Sequence, residues 1–483
     1  MRGLAFALVV FATTAAAQTP PAMAPAPAAS AAQPASIPPA PVSADVQRIL
    51  DRLREAGLHD DHAYEIVRDL VSQIGPRLAG SDQEARARDW AVAMLRADRF
   101  SNVRIETFPI PGWSWQRQEA RIISPSQQHL VIAALGNSPS TPAGGLEAEI
   151  VRFPDLPSLQ GAPDAAVRGR IVFIDEHMTR TQDASGYGAA VVKRGGCPRL
   201  AAPKGALACM IRSVGTDTHR FAHQGSAGRT VAIPTASMSP ADANTLDALL
   251  ERGAVRVHLE LETTRNPNAQ SGNVIADIRG RERPEEIVLL AAHMDSWDLG
   301  QGAIDDGSGV AIITAAARLI NALPRHPRRT IRLLLAGTEE PGGYGGDAYG
   351  RTHASEHHVI AAESDLGADR VYRFNSHFPD SALPYARAFE RALAPLGVVP
   401  GDNNADGGTD IGGVKTNGTP VVDLQQDASR YFDYHHTAND TMAAIDPEQL
   451  RQNVAAYAVF AYLAAESDWD FGATRSAAPA TSH

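Results

Sequence analysis

Cysteine is scarce in this sequence, with only Cys197 and Cys209 among 483 residues. The two do not form a CxxC pair or a Cys/His spacing, which excludes a disulfide-built scaffold and argues against a thiolate metal site. Positive charge is also in deficit, because 44 Lys and Arg face 55 Asp and Glu, for a formal net charge of −11. This balance argues against a nucleic-acid partner.

Long hydrophobic runs are missing except at the start, where "MRGLAFALVVFATTAAA" places one arginine before a short apolar stretch and small residues. The pattern predicts a signal peptide over residues 1–17, cut near Ala17, and the run is short of the ~20 residues that a membrane span needs. We therefore expect a bacterial protein that is periplasmic or secreted, with no membrane insertion after signal cleavage. The Ala/Pro-rich residues 18–42 are predicted to form a disordered linker, and residues 471–483 a flexible tail.

The remaining chain is too long for one ordinary domain and contains two kinds of secondary-structure pattern. Residues 43–115 predict helices followed by a strand, whereas residues 116–268 contain short β-rich pieces separated by Gly, Pro and Asp turns. Residues 269–470 return to alternating strands and helices, with continuous apolar strands such as "EIVLLAAH", as expected when both faces of a sheet are covered. The prediction is an α/β fold, an αβα sandwich with a mixed sheet and an inserted β-rich domain over 116–268.

Ionisable side chains gather where four of the predicted strands end. "LLAAH" ends in His293 with Asp295 just after it, and the loop beyond carries Asp305 and Asp306. The other three strand ends carry Glu339 and Glu340, Glu363 and Asp365, and His435 and His436. Ligands of open α/β sheets bind beyond the carboxyl ends of the strands, so we expect these side chains to meet there.

So many carboxylates at the ends of buried strands would repel one another unless a cation compensates them. Imidazole and carboxylate ligands suit zinc, among other borderline cations. Two zinc ions ~3.5–4 Å apart would neutralise the cluster and together activate a water and polarise a carbonyl. The sequence therefore predicts two Zn²⁺ ions per chain.

The stretches "AAHMDSWDLGQGAIDDGSG", "GTEEPGGYGG", "ESDLGA" and "YHHTANDT" resemble the co-catalytic zinc exopeptidases of the aminopeptidase type. The likeness covers most of the chain after residue 43, including "IGPRLAGS", and the inserted domain resembles a protease-associated domain. The resemblance implies hydrolysis of short peptides at their ends and a homodimer. It implies five metal ligands: His293, Asp305 as the bridge, Glu340, Asp365 and His436.

Three further roles follow from the same resemblance. Glu339 would be the general base. Asp295 would orient His293 without itself binding the metal. His435 stands where several relatives carry a tyrosine that stabilises the oxyanion. His435 would either take over that contact, in which case activity would depend on its ionisation near pH 6–7, or merely pack behind the ligand.

Several alternatives stay open. A glutaminyl cyclase-like enzyme with one zinc, or a non-catalytic binding homologue, would share the fold, although the complete ligand set favours two metals. Aminopeptidase and dipeptidase specificity are not separated by the sequence. Asp306 is expected to cap the next helix and Asp298 to serve a turn, while Asp410 in "GGTDIGG" either shapes a substrate pocket or caps a helix. The two cysteines are either bridged or free.

Overall fold

The computed structural model describes residues 37–474, and the statements below concern that part of the chain. The predicted signal peptide, most of the predicted linker and residues 475–483 of the predicted tail lie outside it. Within the described residues, no helix is both long and apolar enough to cross a membrane.

Three helices open the described chain, as the periodicity predicts: α1 (Ala44–Leu58), α2 (His62–Gln73) and α3 (Asp82–Ala97). Ser43 and Ser81 begin the first and third of these helices, because each hydroxyl accepts a hydrogen bond from a backbone N–H of the first turn. Leu50, Leu53 and Leu70 are buried and belong to the main hydrophobic core.

A large sheet of fourteen strands follows. Its strands are β1 (Ser101–Ser124), β2 (Gln128–Leu130), β3 (Ile132–Ala134), β4 (Leu146–Phe153), β5 (Ile171–Ile174), β6 (Ala208–Arg212), β7 (Thr235–Met238), β8 (Val255–Ile278), β9 (Arg283–His293), β10 (Arg329–Ala336), β11 (His357–Glu363), β12 (Val371–His377), β13 (Val399–Pro400) and β14 (Val421–Gln426). The remaining helices are α4 (Leu156–Gly161), α5 (Asp164–Val167), α6 (Ser185–Ala201), α7 (Pro240–Leu250), α8 (Ser308–Asn321), α9 (Tyr344–Thr352), α10 (Leu383–Leu393), α11 (Gly412–Thr416), α12 (Tyr431–Tyr434) and α13 (Pro447–Glu466).

The strand order is β13-β12-β14-β11-β9-β10-β8-β4-β5-β6-β7-β3, and β1 pairs with β8 and β2. Strand β9 is parallel to β10 and to β11, and β11 is parallel to β14, whereas β8 runs antiparallel to β10. The sheet is therefore mixed, as predicted.

Both faces of the central strands are buried, which explains why they are apolar throughout. Along β9, Val288 and Leu290 belong to the core that also contains residues of α8 and α13. Leu289 and Ala291 face the opposite way, into a second core with residues of α9 and α11. Successive side chains of a strand point to opposite faces, so this division confirms the αβα sandwich.

Two long strands, β1 and β8, connect the two halves of the sheet. They pair antiparallel over most of their length, from Ile105 opposite Val274 to Ile122 opposite Val257. One end of β8 pairs with β10 and the other end with β4. The predicted boundaries at 115/116 and 268/269 fall inside these strands, and the division into domains stays a prediction.

The two cysteines form a disulfide between α6 and β6. Both are fully buried in a separate hydrophobic core that also contains Val172 and Ile211. Of the two alternatives left open by the sequence, the bridged one is therefore correct.

Arg77, in the "IGPRLAGS" segment, ties the loop after β9 to the first helices. The buried guanidinium donates to the carbonyl oxygens of Met294 at 2.7 Å, Gln301 at 2.8 Å and Gly302 at 2.8 Å. The fixed fork of an arginine reaches several carbonyls at once, which the single ammonium of a lysine does not. The loop between His293 and Asp305 is thus fixed by a side chain from the segment between α2 and α3.

Arg77→Lys is expected to lower the free energy of unfolding by ~3 kcal/mol, because carbonyls bonded to a charged donor lose their partners in a buried place. Urea denaturation measures the change. Arg86→Lys is the control, since Arg86 is exposed and donates to one carbonyl, that of Gln73. Equal unfolding midpoints for the two variants would contradict this role of Arg77.

Candidate metal centre

The first group of predicted ligands gathers around His293, the last residue of β9. The ring nitrogen Nε2 lies 3.2 Å from Asp305 Oδ1 and 3.4 Å from Asp365 Oδ1. Asp365 follows the end of the neighbouring parallel strand β11, which brings it to the same edge of the sheet. Its side chain is 25% exposed, whereas those of His293 and Asp305 are almost fully buried.

The second group gathers around His436. Its Nε2 lies 2.9 Å from Glu340 Oε2 and 3.0 Å from Asp305 Oδ2. Glu340 follows β10, and His436 lies just beyond the short helix α12. The five predicted ligands therefore come together as two groups that share one residue.

Asp305 is the shared residue, with Oδ1 turned to His293 and Oδ2 turned to His436. Burial tends to raise the pKa of Asp305, but its contacts with His293 and His436 hold that pKa well below its usual range. The carboxylate is thus ionised, as a ligand must be.

Asp440 fixes the turn that carries Asp305. Its carboxylate accepts hydrogen bonds from the backbone N–H groups of Ala303 and Ile304, both at 2.7 Å, and of Asp305 at 3.3 Å. Burial raises the pKa of Asp440 to about 7. The contact of Asp440 with this turn is visible only in the structure.

Glu339 and Asp295 lie beside these groups. Asp295 Oδ1 accepts from the backbone N–H of Glu339 at 2.9 Å, and Oδ2 from that of Glu340 at 3.2 Å. Through these two hydrogen bonds, Asp295 positions the backbone of both glutamates. Burial raises the pKa of Glu339 to about 8.

The expected contact between Asp295 and His293 is made differently from the prediction. His293 Nδ1 donates to the main-chain carbonyl oxygen of Asp295 at 3.0 Å, while the carboxylate oxygen Oδ1 is 3.7 Å away. The carboxylate is occupied by the two backbone N–H groups of the glutamates. The orientation of His293 thus comes from the backbone of Asp295.

Asp306 has the capping position expected for it. Oδ1 accepts from the backbone N–H of Gly309, in the first turn of α8, and Oδ2 accepts from that of His293. Both oxygens are engaged, although Asp306 lies within reach of His293 and Asp365. The structure thereby separates the roles of the adjacent aspartates.

His435 stacks on the ring of His436, with 3.5 Å between ring centroids, and its Nε2 is 3.5 Å from Asp305 Oδ2. Burial, followed by the charge of His436, lowers the pKa of His435 well below 6.5. The ring is therefore neutral at pH 6–7, and the predicted dependence of activity on its ionisation in that range is not expected.

Residues of the segment that the sequence predicts as an inserted domain support the loop that carries His435 and His436. No motif in the sequence indicates this contact. His223 Nδ1 donates to the carbonyl oxygen of His435 at 2.8 Å, and the backbone N–H of Gln224 donates to that of His436 at 2.9 Å. Arg194 brings its guanidinium within 3.3 Å of His436 Nδ1. These partners are more than 200 positions away in sequence, so no local spacing signals them.

The backbone is strained at two points of the centre. His436 has φ +63° and Thr338, directly before Glu339, has φ +64°. Side chains other than glycine rarely adopt this left-handed region, and such strain gathers at functional sites. Both positions lie at or directly before a residue of the centre.

Two other aspartates are accounted for by the structure. Asp298 accepts a hydrogen bond from Trp115 Nε1 at 2.9 Å, so it joins the loop to β1. Asp410 is buried, its carboxylate oxygens have no hydrogen-bond partner among the described residues, and its backbone N–H donates to Glu363. It does not cap a helix through its side chain.

The residues of the centre fit a divalent cation. Asp305 Oδ2 and Glu340 Oε1 are buried acceptors without a hydrogen-bond partner among the described residues. Histidine nitrogens and carboxylate oxygens lie within 4.8 Å of one another in three overlapping groups, each containing His293 or Asp305. Buried imidazole and carboxylate in this proximity form the donor set that zinc prefers.

Comparison with known proteins agrees with this geometry. The profile described as Peptidase family M28 matches residues 273–461. Carboxypeptidase Q of Mus musculus is 33% identical over 430 residues, covering 88% of this chain and 90% of its own length. Carboxypeptidase Q of Bos taurus is 34% identical over 429 residues, covering 87% and 89%. The motifs "SWDLGQGAIDDG" and "HHTANDTM" resemble that branch in particular.

Solved structures show the same fold. A peptidase M28 precursor from Shewanella amazonensis SB2B superposes with a TM-score of 0.86 at 44% identity, covering 88% of this chain and 98% of that one. A zinc aminopeptidase from Bacillus subtilis has a TM-score of 0.64 at 19% identity, covering 85% and 97%, and shows the fold alone. On the strength of these relatives and of the site, this chain belongs to peptidase family M28 and is a peptide-bond hydrolase.

Proposed function

We propose that this chain is an exported di-zinc exopeptidase that hydrolyses the terminal peptide bonds of short peptides. The observation that carries the proposal is Asp305, whose two carboxylate oxygens face two different histidines at 3.2 and 3.0 Å. A bridging ligand between two metals needs this arrangement. The structurally similar protein from Bacillus subtilis is a zinc aminopeptidase, which supports the same metal.

In the proposed site, His293 and Asp365 would hold one zinc ion, Glu340 and His436 would hold the other, and Asp305 would be shared between them. Bound zinc would supply Lewis-acid polarisation of the scissile carbonyl and would lower the pKa of the attacking water. The carboxylate of Glu339 takes a proton from that water and passes it to the leaving nitrogen as the C–N bond breaks.

Two further residues keep these groups in place. Asp295 fixes the backbone of Glu339 and Glu340 through its two hydrogen bonds, which holds the segment that carries both carboxylates. His435 is proposed as a neutral N–H donor to the oxyanion, since it is buried against Asp305 and its Nδ1 has no hydrogen-bond partner among the described residues. The alternative, a packing role, is distinguished by an unchanged kcat in His435→Ala.

Export is proposed from the leader and the disulfide. The bond between Cys197 and Cys209 is buried, and structural disulfides persist in oxidising compartments such as the bacterial periplasm. Cleavage of the leader near Ala17 is measured by N-terminal sequencing of the protein from the periplasmic fraction. An intact N-terminus in the cytoplasmic fraction would contradict export.

The purified protein is expected to bind two zinc ions per chain and to lose dipeptide hydrolysis on chelation. Metal analysis and assays with dipeptides, amino-acid anilides and N-blocked peptides provide the measurements, and restoring zinc should restore activity. One tightly held ion with full activity would contradict the two-metal site. Cyclisation of N-terminal glutamine without peptide hydrolysis would instead identify a glutaminyl cyclase.

A further inference from the structure

A cavity of about 270 Å³ opens beside the metal centre. It lies between the carboxyl ends of β11 and β14, the loop 406–409 and the residues just before α6. Asp365 forms part of its wall, so the cavity is continuous with the proposed catalytic centre. A substrate residue whose carbonyl lies at the metals would extend its side chain into this space.

The wall of the cavity is acidic. Five of its thirteen described lining residues are carboxylates, and none is Lys, Arg or His. The acidic residues are Asp183, Glu363, Asp365, Asp406 and Asp423. Leu366 and Leu424 add apolar surface between them. The cavity thus combines aliphatic contact with negative charge.

Most of these carboxylates already have partners. Asp406 is paired with Lys415 at 3.1 Å, and Asp423 accepts from the backbone N–H groups of Asp406 and Gly407. Asp183 accepts hydrogen bonds from Ser185. Their negative charge is therefore largely engaged by the protein itself.

Glu363 is different. Oε2 accepts from the backbone N–H of Asp410 at 2.9 Å and of Ile411 at 3.2 Å, but Oε1 has no hydrogen-bond partner among the described residues. The residue is 8% exposed, and Asp410 behind it is 1% exposed with both carboxylate oxygens unpartnered. A buried acceptor left in this state costs free energy unless a ligand satisfies it.

The loop 406–409 comes very close to the carboxylate of Glu363. Gly408 has φ +106°, and a Cβ atom there would lie 2.5 Å from the carboxylate of Glu363. Only glycine lets the backbone adopt this conformation at that distance. The close approach narrows the end of the cavity around one carboxylate.

We propose that this cavity binds the cationic side chain, lysine or arginine, of the substrate residue next to the scissile bond. The inference rests on the proposed exopeptidase function and names its substrate class. Leu366 and Leu424 would contact the methylene groups, and Glu363 Oε1 would accept a hydrogen bond from the ammonium or guanidinium group. The space is much larger than an isolated ammonium needs, since a group of water size occupies ~30 Å³, so a whole side chain fits better than an α-ammonium alone.

The test compares lysyl-alanine with norleucyl-alanine, because norleucine has the four side-chain carbons of lysine but lacks the terminal ammonium group. The zinc-loaded enzyme is expected to show a kcat/KM about 10-fold or more higher for the lysyl peptide. Glu363→Gln is expected to reduce the lysine-to-norleucine ratio by about 10–100-fold, and Glu363→Asp to restore part of it. Glu282→Gln, which changes the net charge equally just before β9, should leave the ratio unchanged.

Calorimetric binding of L-lysine and L-norleucine supplies a second readout that does not need turnover. Tighter binding of lysine that is lost in Glu363→Gln supports the pocket. A norleucyl peptide hydrolysed as well as the lysyl peptide overturns the pocket and leaves the exopeptidase function intact. A lysine preference that persists in Glu363→Gln also overturns it. Absence of hydrolysis for every peptide overturns the proposed function, while the binding measurement still decides the pocket.

Discussion

Replacing Glu339 by glutamine is expected to lower kcat by ~10²–10⁴-fold while the chain keeps both metal ions. Glutamine preserves the size of the side chain and the backbone hydrogen bond to Asp295, but it cannot take up the proton of the attacking water. Metal content by mass spectrometry and kcat on a dipeptide are the two measurements. Both are needed, because a loss of metal alone would also abolish activity.

The adjacent Glu340 is the matched control. Its Oε2 lies 2.9 Å from His436 Nε2, so Glu340→Gln removes a charged ligand and is expected to lower the metal content. The neighbouring backbone N–H groups of both residues bond the same carboxylate, so the two variants disturb the turn similarly. If the phenotypes are exchanged, the assignment within the pair is reversed. Full kcat in Glu339→Gln would place the general base elsewhere.

Asp305→Ala is expected to remove metal from both positions and to reduce hydrolysis to the background of the assay. The reason is geometric, since each oxygen of this carboxylate faces one of the two histidine groups. No other carboxylate among the described residues contacts both His293 and His436 in this way. Titration of the apo-protein with zinc, followed by calorimetry, measures the affinity of each position.

Asp306→Ala provides the comparison, because Asp306 is the sequence neighbour, carries the same side chain and is also buried. It accepts hydrogen bonds from the backbone N–H groups of His293 and Gly309, so its loss should lower the free energy of unfolding by ~1–3 kcal/mol. Folded molecules of this variant should still bind zinc. Retention of both ions by Asp305→Ala, with loss in Asp306→Ala, would exchange their roles.

Much of the fold followed from local patterns. The apolar run of β9 predicts a strand buried on both faces, and the structure divides it between two cores, as for Leu289 and Leu290. The helical spacing of the first residues likewise predicts α1. These features depend on neighbours within one or two turns or along one strand, so a single sequence contains them.

The lengths of β1 and β8 could not be predicted from local sequence patterns. Each strand spans 24 residues, including positions with proline and with several polar residues such as "NPNAQSGN". Their pairing with one another supplies the backbone hydrogen bonds that sequence propensity does not indicate. Strand length was therefore decided by a partner more than 130 residues away, which outweighs local preference.

The sequence by itself determined which chemical groups are available at the centre, because a strand end followed by His, Asp or Glu is a local feature. Tertiary structure decided how these groups are used. It turned Asp305 rather than Asp306 toward both histidines, and it gave the carboxylate of Asp295 to the glutamate backbone instead of to His293. It also brought His223 to the loop of His435, across 212 positions. The direction of a side chain depends on packing and on hydrogen bonds between distant segments, and these exist only once the chain has folded.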